Sequence, residues 1–360
     1  MLNQSKINSW SGQKLYIGLD VHKKNWKVTI LGPSYEHKTF SQNPDPEALA
    51  KYLHKNFPGA EYQSVYEAGF SGYWASKQLK QLGINNIIVN PADVPTKHKE
   101  RDHKNDVVDS RKLARSLQAG ELNGIYEPSE CCLAAREVLR SRGQIVKELS
   151  REKNRVKSFF AFIGKSIPVH FTRGETRQWS KRFIQWLEEL EFEEAGNKIS
   201  IDSKIRIVQA LRKELLEINR HIRSLSREAF YQKDVELLIS IPGIGLITAM
   251  VILTELSPIN RFKTLDQLNR YVGLVPSIQG TGDKEYVGRM TIRRQKRIKE
   301  KLIESSWILI RQDPAMMMKF EELIKRMEKN KAIIRIARKL LSRIRRVLIA
   351  QQPYVKNVIE

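Results

Sequence analysis

The stretch YIGLDVHKKNWKVTI, residues 16–30, constrains this chain more than any other. It reads as an apolar strand that delivers one carboxylate, Asp20, at its end, then a tight polar turn and a second apolar strand. Two later segments give that carboxylate company: VYEAG with Glu67, and KNDVVDSRKLA with Asp106 and Asp109. Four acidic side chains in such positions stand out because Lys and Arg outnumber Asp and Glu by 63 to 40.

The elements around these acids alternate. LYIGLDV and WKVTIL read as a hairpin pair, with YEHKTFS as a third strand. A helix over PEALAKYLHKNF opens at Pro46 and closes near Pro58-Gly59. SVYEAG is a short strand, SGYWASKQLKQLG a helix capped by Ser71 and stopped by Gly83, and NNIIVN another strand. PTKHKERDHK is a polar, exposed loop, and NDVVDSRKLARSLQ resumes as helix. Three strands with a carboxylate on the first, followed by β-α-β-α, suit a ribonuclease-H-like sheet. Asp20 then ends a central strand, Glu67 ends a strand beside it, and Asp106 and Asp109 face the same way, three apart on a helix. Such a cluster repels itself unless a divalent cation neutralises it, and hard oxygen ligands with room for water and phosphate suit Mg²⁺ or Mn²⁺.

A net charge of +23 points to a polyanionic partner, most simply DNA or another nucleic acid. The two cysteines, Cys131 and Cys132, are adjacent and make no disulfide framework, which fits a cytoplasmic protein. No apolar run approaches the roughly 18 residues of a membrane span, and the scattered histidines show no zinc spacing.

Beyond residue 125 the character changes. Val208, Leu211, Leu215, Ile218, Ile222 and Leu225 recur in steps of three and four, a heptad seam. Leu139, Val146, Leu149, Val156 and Phe160 make a similar seam, interrupted by Arg142 and Lys153. Two long helices that pair within one chain or between chains follow, and a seam this regular suits assembly into a homo-oligomer, a dimer or tetramer. Between them, Trp179 and Trp186 beside Arg and Lys offer surfaces for stacking on bases. Residues 231–256 hold Pro242-Gly243-Ile244-Gly245 between two apolar helices. This is a helix–hairpin–helix pattern, in which Gly243 and Gly245 let the chain turn tightly and present amides to a DNA phosphate. Next come a helix, a loop with hydroxyls at Ser277 and Thr281, and a basic helix. Between Lys284 and Arg346 there are 20 Lys/Arg against 7 Asp/Glu. Arg293, Arg294, Lys296 and Arg297 crowd the start of the basic helix, as a DNA-binding cluster would, and a hydroxyl in the preceding turn would meet a scissile phosphate there. The last helix buries Ile333, Ile336, Leu340, Ile344 and Val347 and shows Arg335, Arg338, Arg343 and Arg346 elsewhere.

Taken together these segments resemble, over nearly the whole length, the DEDD transposases of bacterial insertion sequences, the IS-one-ten group with its Piv-type invertase relatives. The acidic set matches as Asp20, Glu67, Asp106 and Asp109, with KNDVVDS standing for a Lys-Thr-Asp-x-x-Asp-Ala pattern. LLISIPGIGLITA, RYVGLVPSIQGTGDKEYVG and the Thr-x-Arg-Arg helix follow in the family's order. The resemblance implies an α/β plus all-α architecture: a RuvC-like catalytic domain over 1–125, a coiled-coil linker over 126–230, and a C-terminal transposase domain over 231–360. It also implies a Mg²⁺-dependent recombinase that acts as an oligomer, in some members guided by a structured RNA from the element itself. A serine of the C-terminal loop attacks the phosphodiester in that family. Here Thr281-Gly282 stands at the Ser-Gly position, keeping the hydroxyl but adding a methyl that crowds in-line approach, and Ser277 lies four residues earlier. Asn105 replaces the family's Thr, and Arg294-Gln295 its Arg-Gly. The expected activity is cutting and rejoining DNA through a covalent hydroxyl–phosphate intermediate. The rivals are a RuvC-like hydrolytic nuclease and a non-catalytic domesticated nucleic-acid-binding protein.

Overall fold

The computed structural model describes residues 10–33, 36–95, 105–172, 178–281, 284–290 and 295–356, with backbone alone over 277–281, 284–287 and 289–290. It divides into two compact units, Met1–Glu127 and Pro128–Glu360. The loop expected over 95–104 falls almost wholly outside the described residues.

The first unit is built on a five-stranded sheet in the order β3-β2-β1-β4-β5. β1 (Lys14–Val21), β2 (Trp26–Leu31) and β3 (Glu36–Gln42) form an antiparallel meander, as their sequence suggests. β4 (Glu61–Glu67) adds to the other edge of β1 in parallel, and β5 (Asn85–Val89) adds in parallel to β4. Parallel pairing needs crossover connections, which α1 (Pro46–Asn56) and α2 (Trp74–Gln81) supply. Asp45 caps α1, accepting from the Glu47 amide at 2.8 Å, with Pro46 at the first helical position. Ser71 does not cap α2. The chain makes an extra turn over 71–73, the helix starts behind Tyr73, and Ser71 is buried. Gly83 does end this helix, in the left-handed conformation at φ +80°.

Alternation along β1 sorts the two faces. Leu15, Ile17 and Leu19 pack with Leu49 and Leu53 of α1 and Ala75 and Leu79 of α2. On the opposite face lies α3 (Asp106–Gln118), whose Leu113 packs with Val65 of β4 and Val89 of β5. Gly18 lets α3 approach, since a Cβ there would sit 2.0 Å from the Ser110 carbonyl oxygen and 2.6 Å from the Ala114 nitrogen. Buried hydroxyls add a polar pin, with Thr29 and Ser110 2.8 Å apart, while Arg111 Nε donates to Glu36 at 2.8 Å.

In the second unit α4 (Glu130–Phe162) and α7 (Ala195–Leu225) pack along their length. α5 (Val169–Thr172) and α6 (Lys181–Glu188) lie between them in sequence. Leu139 shares a cluster with Ile218 and Ile222, whereas Val156 and Phe160 share one with Ile201 and Ile205, so the two helices run antiparallel within one chain. The polar residues in the seam are accommodated: Arg142 donates to Asn219 Oδ1 at 2.7 Å, and Lys153 lies over the Trp179 ring. Base stacking by the tryptophans gives way to packing. Trp186 sits among Phe160, Phe171 and Phe183, and Trp179 stands edge-on to Phe183, because this end of the pair builds its own aromatic core.

α8 (Gln232–Ile239), α9 (Leu246–Leu256) and α10 (Leu265–Val272) follow. They share one large core with α11 (Lys296–Gln312), α12 (Pro314–Ile324) and α13 (Lys329–Ala350). Buried Arg136 of α4 ties into this core, donating to the Thr254 carbonyl at 2.6 Å and pairing with Glu255 at 3.3 Å. Both cysteines are free, Cys131 exposed and Cys132 buried. The segment holding Ser277 and Thr281 is a hairpin rather than a loop: β6 (Pro276–Thr281) pairs antiparallel with β7 (Lys284–Met290), Thr281 opposite Lys284. Among the described residues no helix is long and apolar enough to cross a membrane.

Candidate metal centre and DNA-contacting elements

Register places the first two acids. β1 and β4 are parallel neighbours with Leu19 opposite Tyr66, so Asp20 and Glu67, the next residues, stand side by side at the carboxyl ends of their strands. Both share the face of Gly18 and Val65, the face that α3 covers. The other two acids come from the start of α3. Asn105 caps it, its side chain accepting from the Val107 amide at 3.1 Å, so replacing the family's Thr with Asn preserves a capping oxygen. Asp106 and Asp109 occupy the first turn, where the helix dipole favours negative charge.

Two residues that sequence reasoning missed connect the acids. His22 Nε2 lies 3.1 Å from Asp20 Oδ2 and 3.7 Å from Asp106 Oδ1. Ligand atoms of Asp20, His22 and Asp106 all fall within 4.8 Å of one another, close enough to share one cation. Lys112 Nζ lies 3.2 Å from Asp109 Oδ1 and 3.8 Å from Glu67 Oε1, a built-in cation that bridges the second pair and offsets one of its two charges. Both were legible in principle, since His22 follows Asp20 by two and Lys112 follows Asp109 by three.

Asp20 carries the electrostatic signature of the cluster. Its pKa is raised above the ordinary aspartate value, chiefly by burial; the charges of Asp106 and Asp109 push the same way, and His22 opposes them. A carboxyl whose folded pKa lies above its unfolded value holds more protons in the fold. Stability is then lost as pH rises from the unfolded value through the raised folded one. The Asp20→Asn chain in chelator should accordingly melt above the wild type at pH 7, the advantage vanishing in acid, and added Mn²⁺ should raise the melting temperature of the wild type more than that of the variant. Melting curves at two pH values check both statements. The donor set fits a divalent ion: carboxylates in mutual repulsion, one imidazole, and one carboxyl that burial makes reluctant to ionise alone.

The DNA-contacting candidates divide. Gly243 takes φ +87° and packs on α11, where a Cβ would stand 2.5 Å from the Ser305 carbonyl oxygen, so this glycine shapes the turn and its packing. Gly245 is exposed at the N-terminus of α9, which no side chain caps. It borders a cavity of about 330 Å³ with Arg142, Arg223 and Thr248, so free amides and guanidinium groups face one opening. Lys296 and Arg297 are exposed in the first turn of α11, where the helix dipole disfavours cations, an arrangement that a polyanion corrects. Arg293 and Arg294 lie outside the described residues. The backbone of Thr281 is placed at the turn end of β6; its side chain, like that of Ser277, is outside the description.

Comparison with known proteins completes the site's context. Residues 17–164 match the DEDD-type transposase model, and residues 235–321 match that of the "Transposase IS116/IS110/IS902 family". The transposase for insertion sequence element IS1533 of Leptospira borgpetersenii is 27% identical over 309 residues, covering 82% of this chain and 85% of the relative. The y4qE protein of Sinorhizobium fredii is 27% identical, covering 82% and 72%. The transposase for IS1111A of Coxiella burnetii is 24% identical, covering 81% and 78%. With the acidic half and the C-terminal half each matched in the same order, the chain belongs to the IS116/IS110/IS902 family of transposases.

Proposed function

We propose that the chain cuts and rejoins DNA strands at the ends of its own insertion sequence. The observation that carries this reading is the gathering of Asp20, His22 and Asp106 around one point, with the charge of Asp109 felt at Asp20 and Lys112 linking Asp109 to Glu67. Asp20, Glu67, Asp106 and Asp109 would hold a divalent cation, Mg²⁺ or Mn²⁺, and the imidazole of His22 would tilt the set toward Mn²⁺. When bound, the ion neutralises phosphate charge and stabilises the leaving oxygen. Thr281 supplies the nucleophile: its hydroxyl oxygen forms a bond to phosphorus, the bond to the 3′ oxygen breaks, and the proton lost by threonine is balanced by one gained at the 3′ hydroxyl. The phosphothreonine ester conserves the bond energy, so the reverse attack by another 3′ hydroxyl rejoins strands without an external energy source. Arg293 and Arg294 pair with the phosphate, Lys296 and Arg297 with its neighbours, and the amides from Gly245 onward with the backbone beyond. A structured RNA from the element guides target choice, and the protein works in the cytoplasm as a homo-oligomer.

The covalent step separates this reading from a hydrolytic nuclease. Incubated with plasmid carrying the element's ends and then denatured, wild-type protein should retain a covalently bound DNA fragment. Thr281→Ala should yield none, and Thr281→Ser should yield at least as much as wild type because the crowding methyl is gone. Cleavage that survives in Thr281→Ala would move the assignment to a nuclease.

A further inference from the structure

A cavity of about 580 Å³ opens in the second unit between α10, the C-terminal half of α12 and the middle of α13. Its apolar lining comes from Leu265, Leu323 and Met327. Apart from Asn269 and Ser342 the rest of its wall is cationic, and among the described residues no carboxylate belongs to the lining. Lys319 and Arg326 are held by Glu322, and Arg338 approaches Asp266 at 3.9 Å. Arg335 and Lys339, one turn apart on α13, have no ion-pair partner among the described residues. The fold thus leaves at least two positive charges uncompensated at the mouth of a pocket, at a cost in self-repulsion that an anion removes. Asn269, in the same wall, is 1% exposed and its Oδ1 lacks a hydrogen-bond partner, an unpaired amide that a polar guest would relieve.

Shape decides which anion. A duplex presents a convex rod of phosphates and asks for a flat or broadly grooved basic surface. This site is concave, sized for one small molecule, and apolar at its base. An unpaired nucleotide meets all three conditions, with its phosphates at the cationic mouth and its base on apolar and guanidinium surfaces. A polarizable thioether such as Met327 adapts to bases of different outline. We propose that this cavity is a separate nucleic-acid site that takes one unpaired nucleotide of a single strand, with Arg335 and Lys339 on its phosphates and Leu265, Leu323 and Met327 beneath its base. None of its residues belongs to the acidic centre, so it stands whether or not that centre binds metal.

The test uses the full chain and fluorescence anisotropy with labelled oligo-dT and oligo-U of roughly ten nucleotides, enough to fill one single-strand site, and a duplex of equal length. Reversing both free charges (Arg335→Glu with Lys339→Glu) should weaken single-strand binding about tenfold or more and flatten its salt dependence by about one log unit per log unit. Duplex binding should change far less. Ser342→Phe, which fills the cavity while leaving every charge in place, should weaken single-strand binding alike, with unaltered circular dichroism showing that the chain is folded. Tighter binding of oligo-U assigns the guest to RNA, and equal or tighter binding of oligo-dT to exposed DNA. Equal loss on duplex and single strand after charge reversal, or undiminished single-strand binding in a folded Ser342→Phe chain, overturns the proposal. Asp20→Asn should leave this binding untouched, so a failed metal centre and a failed pocket give different results.

Discussion

Replacing Asp20 with Asn should lower the rate of strand cleavage by about a thousandfold or more. The estimate rests on the several kcal/mol that a metal contributes to stabilising charge in phosphoryl transfer, at 1.36 kcal/mol per factor of ten. Asp20 is the acid on which two of the others act: it touches His22, its pKa responds to both Asp106 and Asp109, and it lies near the end of the central strand of the sheet. Asparagine keeps the shape and one acceptor but not the charge, so DNA binding by the basic C-terminal half should persist while cleavage fails. Timed cleavage of plasmid carrying the element's ends, together with a gel shift of the same DNA, measures both. Loss of binding and cleavage together would instead mean that Asp20 supports the fold.

The second large effect is expected at a residue with no side chain. Gly18→Ala places a methyl 2.0 Å from a backbone oxygen of α3 and 2.6 Å from a backbone nitrogen, where neither neighbour can rotate away. α3 must then move off the sheet as a body, carrying Asp106, Asp109 and Lys112 with it and pulling apart the buried Thr29–Ser110 contact. Overpacking of a well-filled core costs about 1–3 kcal/mol when side chains can adjust. A backbone collision should reach the top of that range or exceed it. Urea unfolding of Gly18→Ala should show the loss, and any folded fraction should bind Mn²⁺ more weakly than wild type. Unchanged stability would mean that α3 does not rest on β1 as described.

How far the residues alone lead depends on the length scale of the signal. β1 and β2 were readable because each is a short apolar run bounded by turn residues, β3 because its polar EHKTFSQ run follows them closely enough to extend the meander, and α3 because its acids and apolar period agree. The contrast at Ser71 is instructive. A hydroxyl before an apolar helix satisfies the capping rule, yet the chain spends residues 71–73 on a turn first, with Ser71 buried. The hairpin around Thr281 was obscured by its glycines, which read as loop although Gly-Asp between paired strands is also a turn signal. Trp179 and Trp186 look like stacking surfaces beside their basic neighbours. Only the approach of Phe160, Phe171 and Phe183 packs them against a buried aromatic cluster. His22 and Lys112 stay hidden in a reading confined to carboxylates, although the imidazole lies beside Asp20 and Asp106 and the ammonium beside Asp109 and Glu67.

The central claim is that Asp20, Glu67, Asp106 and Asp109 together create one divalent-cation centre, and titration of the metal-free full chain with Mn²⁺, followed by electron paramagnetic resonance, tests it most directly. The account predicts one tight site per chain, weakened at least about tenfold, or about 1.4 kcal/mol, by each of Asp20→Asn, Glu67→Gln, Asp106→Asn and Asp109→Asn. A folded wild-type chain that binds no Mn²⁺, or one whose affinity survives these substitutions unchanged, would contradict it.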